Sequence, residues 1–305
     1  MSFSSNCKNE ILENDFSDRS IAEALVYGLF SFSSGVNAHE VLITSENAAL
    51  LETIAFCMIS IGVPEKDIEI YPGPKLYSLT ITDPDAIYKI LDRFDLLIAS
   101  SEYELNDSIV FTNETVKAYI IGAVLGCGTV SDPSKGYHLQ FSTHHSKRAY
   151  TLFDLLNSIG FGAKITKNGY STILYYKNSS TIEDLLTYMG AYTNSMALME
   201  MKVYKDVRNT VTRRVNCESA NLEKVIMSSS DDIALINDFF KHGGASILKD
   251  DMINLAKMRI KYPEFSYTEL ASIIGNGLTK SGVNHRLRKL REIMRDYLAE
   301  NGNKK

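Results

Sequence analysis

Residues 18–95 and 113–191 follow the same order of elements at an offset of about 94–98 positions, so one packing solution has to serve two halves of a single body. Each copy opens with an apolar, glycine-containing helix, residues 24–35 in the first and 118–128 in the second, and the two align on Gly28 and Gly122. An alternating strand follows, 40–44 and 137–142. Next comes a helix that ends alike in both, with Ile61-Gly62-Val63 matching Ile159-Gly160-Phe161. Two hairpins come next, 67–71 with 75–82 through Pro-Gly-Pro and 163–167 with 170–177 through Asn168-Gly169, and closing helices over 83–94 and 180–189.

Small residues recur at the head of each copy. Gly28 and Gly122, with Ala24 and Ala118 one turn earlier, allow two helices to approach along a shared seam. An isolated glycine in an ordinary core helix would only cost about 1 kcal/mol relative to alanine. Its occurrence at the same place in two matching units favours the seam.

A second pattern lies near the C-terminus. Ser266 and Glu269 stand at capping-box spacing, and Gly275-Asn276-Gly277 would stop the short helix that they start. In the helix that follows, Val283, Leu287, Leu290 and Met294 share one face, while Asn284, His285, Arg288 and Arg291 point elsewhere. Residues 280–295 contain six Lys/Arg and one acid before Asp296, a net of +5. A capped helix, a tight glycine turn and a basic second helix predict a helix-turn-helix with its recognition helix on double-stranded DNA.

Charge is unevenly distributed. The chain carries −5 overall, but residues 242–305 hold 12 Lys/Arg against 7 Asp/Glu. An acidic body with a basic end predicts that nucleic acid is gripped mainly at the C-terminal end. The four cysteines, Cys7, Cys57, Cys127 and Cys217, form no Cys-x-x-Cys pair, which argues against a zinc site or a disulfide framework and for a reducing cytoplasm. Residues 1–10 lack the basic and apolar blocks of a signal peptide, and the apolar run 48–63 is interrupted by Glu52 and too short to span a membrane. The adjacent His144 and His145 are poorly spaced for joint metal ligation and read as a strand-to-helix junction. Gly126-Cys127-Gly128 follows a helix and no Gly-Lys-Ser/Thr follows it, so no nucleotide site, metal or other cofactor is expected.

The duplicated body resembles the LAGLIDADG homing-endonuclease fold, in which two αββαββα units pack through their leading helices into a saddle. Together with the helix-turn-helix, the chain resembles the WhiA family of bacterial DNA-binding regulators. The resemblance rests on Met1-Ser2-Phe3-Ser4, on residues 128–139 (GTVSDPSKGYHL), on 213–222 (RRVNCESANL) and on 280–287 (KSGVNHRL). It implies an α+β chain: a duplicated LAGLIDADG-type saddle followed by an all-α helix-turn-helix domain. It also implies a role in transcription linked to cell division or sporulation, in a cytoplasmic, nucleoid-associated protein.

Active enzymes of that fold place an acid near the C-terminal end of each leading helix, so that paired carboxylates hold divalent metal for phosphodiester cleavage. Five residues after the aligned glycines this chain has Ser33 and Cys127, neither a hard carboxylate ligand. Asp132 lies beyond the helix and has no counterpart in the first copy. Nuclease activity is therefore not expected, and catalytic residues are assigned to none.

The expected organisation is an N-terminal segment 1–17, repeats 18–95 and 113–191, a helical linker 192–245 and a DNA-binding domain 246–305. The DNA-binding stretch is expected to run from Ser266 to Leu298. Within it, Lys280, Ser281, Asn284, His285 and Arg288 are expected near bases, with Thr279 beside them. Arg286, Lys289 and Arg291 are expected at phosphate. In the linker, Arg208, Arg213 and Arg214 are candidates for phosphate contacts or for ion pairs with acidic surface. Two other readings remain open: a metal-dependent endonuclease with relocated acids, and a scaffold whose saddle binds a protein co-regulator.

Overall fold

The computed structural model describes residues 2–97 and 103–302, so the last three positions of the expected C-terminal domain lie outside the described residues. Two compact units divide the chain, 1–205 and 206–305.

The first unit begins with α1 (Phe3–Ile11), started by Ser2, whose hydroxyl accepts from the Ser5 N–H at 3.1 Å. The first repeat comprises α2 (Arg19–Phe32), β1 (Val36–Asn37), β2 (Glu40–Ser45), α3 (Ala48–Ser60), β3 (Ile68–Pro72), β4 (Tyr77–Ile81) and α4 (Pro84–Arg93). The second comprises α5 (Asn113–Cys127), β5 (Gly128–Val130), β6 (Leu139–Thr143), α6 (Ser146–Ser158), β7 (Lys164–Asn168), β8 (Ser171–Tyr176) and α7 (Ser179–Tyr188). Both leading helices are capped from their own sequence. Asp18 accepts from the Ser20 and Ile21 N–H groups, and Thr112 and Thr115 exchange reciprocal side-chain to backbone bonds.

The two sheets have matching antiparallel orders, β1-β2-β4-β3 and β5-β6-β8-β7. In the first, Val41 faces Ile81 and Ile43 faces Leu79, and these four form the buried side; in the second, Leu139 faces Tyr176 and Phe141 faces Leu174. Residue alternation reveals one strand after each leading helix, whereas the structure has two. The additional strands, β1 and β5, are two and three residues long, too short for a period of two to register.

The leading helices meet backbone to backbone. A Cβ placed on Gly28 would lie 2.1 Å from the Tyr119 carbonyl oxygen, and one on Gly122 would lie 2.1 Å from the Leu25 oxygen and 2.6 Å from the Leu29 nitrogen. Around this contact Tyr27, buried, stacks against Phe94 at 5.2 Å and lies 5.1 Å from Tyr119. Its hydroxyl bonds that of Tyr103 at 2.7 Å, and Arg148 lies over the Tyr103 ring while donating to the Ser31 carbonyl at 3.0 Å. The first residues of the chain are part of this core. Cys7 and Ile11 are fully buried, Lys8 donates to the Leu125 carbonyl, and Glu10 accepts from the Thr193 and Asn194 N–H groups at the start of the next helix.

That helix, α8, runs from Tyr192 to Lys241, and the division between the compact units falls inside it, at Lys205/Asp206, and not at the glycine turn that follows it. The reason is packing: Ile236 and Phe239, near its end, are buried with the C-terminal helices. In the second unit α8 is followed by a turn with Gly243 at φ 78° and Gly244 against the Phe239 ring, then α9 (Asp250–Lys261), α10 (Tyr267–Ile274) and α11 (Lys280–Gly302). Leu255, Leu270, Val283, Leu287, Leu290 and Met294 fill its core.

Alanine at position 122 gains about 1 kcal/mol of helix propensity but forces two backbones apart, a strain at the upper end of the usual range of about 1–3 kcal/mol for overpacking. Urea denaturation of Gly122→Ala is expected to show a net loss of about 2 kcal/mol. Gly136→Ala, where a Cβ meets nothing within 4 Å, is expected to stay within about 0.5 kcal/mol of the parent.

Candidate nucleic-acid interface

The helix-turn-helix is built by local bonds. Ser266 donates its N–H to Glu269 Oε2 at 2.7 Å and its hydroxyl accepts the Glu269 N–H at 3.4 Å, starting α10. Gly275, Asn276 and Gly277 then take φ of 71°, 53° and 69°, three successive positive values that reverse the chain. The Thr279 hydroxyl accepts from the Gly282 N–H at 3.2 Å and so opens α11.

From that point α11 divides into two faces. Val283, Leu287, Leu290 and Met294 are each 1% exposed or less. Thr279, Lys280, Ser281, Asn284, His285, Arg288 and Lys289 are exposed. Ser281, Asn284, His285 and Arg288 follow one another at i, i+3, i+4 and i+7, which puts two donors-and-acceptors, an imidazole and a guanidinium on one stripe. Such a stripe matches the hydrogen-bonding edges of bases in a major groove.

Two residues expected at phosphate lie against acids. Arg291 donates to both oxygens of Asp232, from Nε at 2.5 Å and from Nη2 at 3.1 Å, and to the Tyr267 hydroxyl at 3.0 Å. Its hydrogen bond to Asp232 pushes Arg291 above the ordinary guanidinium range. Asp232 is 3% exposed and also receives Arg259 Nε at 3.4 Å, so α8, α9 and α11 are tied through one carboxylate. Arg291 is thus occupied in structure, and the helical wheel could not show this because its partner lies 59 positions earlier. Arg286 sits 3.4 Å from Asp251 of α9 and is only half exposed. Arg288 lies 3.9 Å from Glu292, an exposed pair that binds it weakly.

Leu298, the far limit of the expected DNA-binding stretch, serves packing. Leu298 is partly buried and packs against the apolar core of the C-terminal unit, as do Ile293 and Tyr297 before it. Leu298 has no polar side-chain atom to offer a base or a phosphate, and its burial with that core makes it an anchor for the last turns of α11. Beyond Lys289 the outer face stays exposed through Glu292, Arg295 and Asp296, and α11 itself continues past Leu298 to Gly302.

On α8, Arg208, Arg213 and Arg214 are all exposed, and Arg214 bonds Glu218 one turn on at 3.0 Å. Neither Arg208 nor Arg213 has an ion pair among the described residues.

In the first unit Ser33 and Cys127, expected at the acid positions of the resembled enzymes, stand at the C-terminal ends of α2 and α5. Ser33 caps α2, its N–H on the Leu29 carbonyl at 2.9 Å, and Gly126 of α5 packs against the Ser33 nitrogen. Cys127 ends α5, and burial pushes its thiol up to about 12 although the nearby Lys8 ammonium acts the other way. A neutral thiol and a hydroxyl are poor ligands for magnesium. Asp132 is exposed; hydrogen bonding from the Ser134 side chain, with the Ser134 N–H at 2.8 Å, holds its carboxyl below the usual range. No group of three His, Cys, Asp or Glu able to hold a metal occurs among the described residues. His145 precedes α6, and burial, Arg148 and His144 lower its pKa.

Family profiles match two stretches of the chain, described as the WhiA LAGLIDADG-like domain over 116–208 and the WhiA C-terminal HTH domain over 211–294. A protein of Clostridium tetani named "Probable cell division protein WhiA" is 32% identical over 99% of this chain and 100% of its own length. The protein of the same name from Clostridium perfringens strain SM101 is 34% identical with the same coverage. The crystal structure of full-length DUF199/WhiA from Thermatoga maritima superposes with a TM-score of 0.59 at 18% identity, covering 97% of this chain and 99% of that one. It shares the fold: a LAGLIDADG-like N-terminal body and a helical C-terminal helix-turn-helix region.

Removing the shared carboxylate with Asp232→Ala leaves Arg259 buried without its counter-charge and is expected to cost about 3 kcal/mol, read as a lower thermal midpoint for the C-terminal unit of the full chain. Arg291→Ala is expected to lower the same midpoint while leaving the salt dependence of any DNA binding unchanged; a shallower salt dependence would return Arg291 to the phosphate-contacting set.

Proposed function

The chain belongs to the WhiA family, and on that premise we propose that it is a non-catalytic, sequence-specific DNA-binding regulator of transcription acting in cell division or sporulation. The observation that carries this reading is the exposed stripe Ser281, Asn284, His285 and Arg288, flanked by Lys280 and Lys289 and backed by a fully apolar face. Lys280, Ser281, Asn284, His285 and Arg288 meet base edges, with Thr279 at the helix start; Lys289 and the half-exposed Arg286 meet phosphate. Arg208 and Arg213 extend the phosphate contacts along α8. The relatives' printed name supports the cell-division role.

Double-stranded DNA is the main partner in this reading, and a protein co-regulator on the saddle is the second. The saddle cuts nothing because Ser33 and Cys127 stand where paired acids would hold metal. That no described helix is long and apolar enough to cross a membrane accords with a cytoplasmic, nucleoid-associated protein.

The test is a fluorescence-anisotropy titration of duplexes recovered by genome-wide mapping of bound sites. Lys280→Ala and Arg288→Ala are each expected to weaken specific binding at least severalfold, within the range of about 1–3 kcal/mol for a good base contact. Unchanged affinity across a salt series would remove α11 from the mechanism. With magnesium or manganese, plasmid and short duplexes are expected to stay intact; EDTA-sensitive cutting in a single turnover would establish the endonuclease reading instead.

A further inference from the structure

Within the C-terminal unit, α8 to α11 line an open pocket of about 250 Å³ whose walls are Lys224, Ser228, Arg259, Ser266, Tyr267 and Lys280, with Val225. No carboxylate lines it. Arg259 is fully buried; it donates to the Phe265 carbonyl at 2.8 Å and lies over the Tyr267 ring, but the one carboxylate it meets, Asp232, is shared with Arg291. That cluster of two guanidiniums and one carboxylate keeps a net positive charge at the cavity wall. The Lys224 and Lys280 side chains add two more, and neither has an ion pair among the described residues. The acid at the same helix start, Glu269, has its carboxylate on the Ser266 N–H. A partly buried excess of positive charge is costly unless an anion joins it. The start of the long helix α11, where Lys280 stands, adds its dipole in the same sense.

We propose that this cavity receives a phosphate group, and that in the DNA complex, on which the choice of occupant rests, it is a backbone phosphate beside the bases read by Ser281, Asn284, His285 and Arg288. Lys280 belongs to both surfaces, as the first residue of α11 and as a wall of the cavity. Lys224 becomes a phosphate ligand supplied by α8, far from the recognition helix in sequence and outside the helix-turn-helix itself. Ser228 and the Tyr267 hydroxyl supply neutral donors of the kind that fix a phosphate's position without reading sequence.

The experiment uses the full chain with Lys224→Gln, an exposed substitution whose folding is checked by circular dichroism. In duplex titrations between about 50 and 200 mM salt, the slope of log affinity against log salt is expected to fall by about 1, and affinity to drop alike for specific and unrelated sequences. In a second arm, without DNA, inorganic phosphate at matched ionic strength is expected to raise the thermal midpoint of the wild type above its value in chloride, and Lys224→Gln to lose that rise. If both responses match wild type in the variant, the cavity is not a phosphate site. Loss of the phosphate response with an unchanged salt slope would assign the cavity to a free phosphate-bearing ligand and overturn the backbone contact. If the wild type binds no duplex, the DNA reading fails by itself, and the phosphate arm still decides whether the cavity binds the anion.

Discussion

The contact between α2 and α5 at Gly28 and Gly122 is the constraint on which the N-terminal unit depends. A side chain at either position would meet the opposing peptide at 2.1 Å, so the two backbones lie closer than any other residue would allow. Each leading helix runs directly, or after a short turn, into the first strand of its own sheet, so fixing the helices fixes where both sheets begin. The fully buried Tyr27, Tyr119 and Phe94 close over the seam, and the Tyr103 hydroxyl and the Arg148 guanidinium satisfy polar groups that the close approach carries inward.

In the C-terminal unit the comparable constraint is electrostatic. A single buried carboxylate, Asp232, is bonded by arginines from α9 and α11, which fixes how the recognition helix lies on its neighbours. This separates the basic residues of α11 into two populations. Arg291 holds the helix in place, whereas Lys280, Arg288, Lys289 and Arg295 face solvent and Arg286 is half exposed beside Asp251. Net charge over the segment therefore overstates the charge free to meet a polyanion. Most of that charge lies in the first half of α11, where the groove-reading residues of a helix-turn-helix stand.

Much of this was legible in the sequence, and the limits have physical causes. The duplication, the glycine seam, the capping box at Ser266 and the apolar stripe from Val283 to Met294 are local or periodic signals, and the structure places all of them as expected. Strands β1 and β5 escaped because two or three residues carry no period. The structural use of Arg291 escaped because a helix face identifies which residues point away from the core, not whether an acid waits there. Leu298 lies four positions after Met294, so the apolar stripe reaches it, and that spacing was itself a sign that it serves packing. Asp232 gives no local sign of its role: it lies beside Asp231 in a polar stretch, and only the packing of α8 on α9 and α11 buries it. The burial of α1 was equally hidden, since Cys7 and Ile11 are too few to establish a pattern.

The seam and the helix ends below it answer to different physical demands. Two carboxylates meeting at the ends of tightly packed helices repel one another and lose hydration, a burden that a bound cation would relieve. Here the ends carry Ser33, which bonds back to its own helix, and Cys127, whose thiol burial keeps protonated. Neither introduces a charge at the axis. The glycine contact one turn and more above them is a matter of backbone volume and is indifferent to that exchange. Packing of the two halves and charge at the helix ends therefore rest on different residues of the same helices, so the second can change while the first stays fixed.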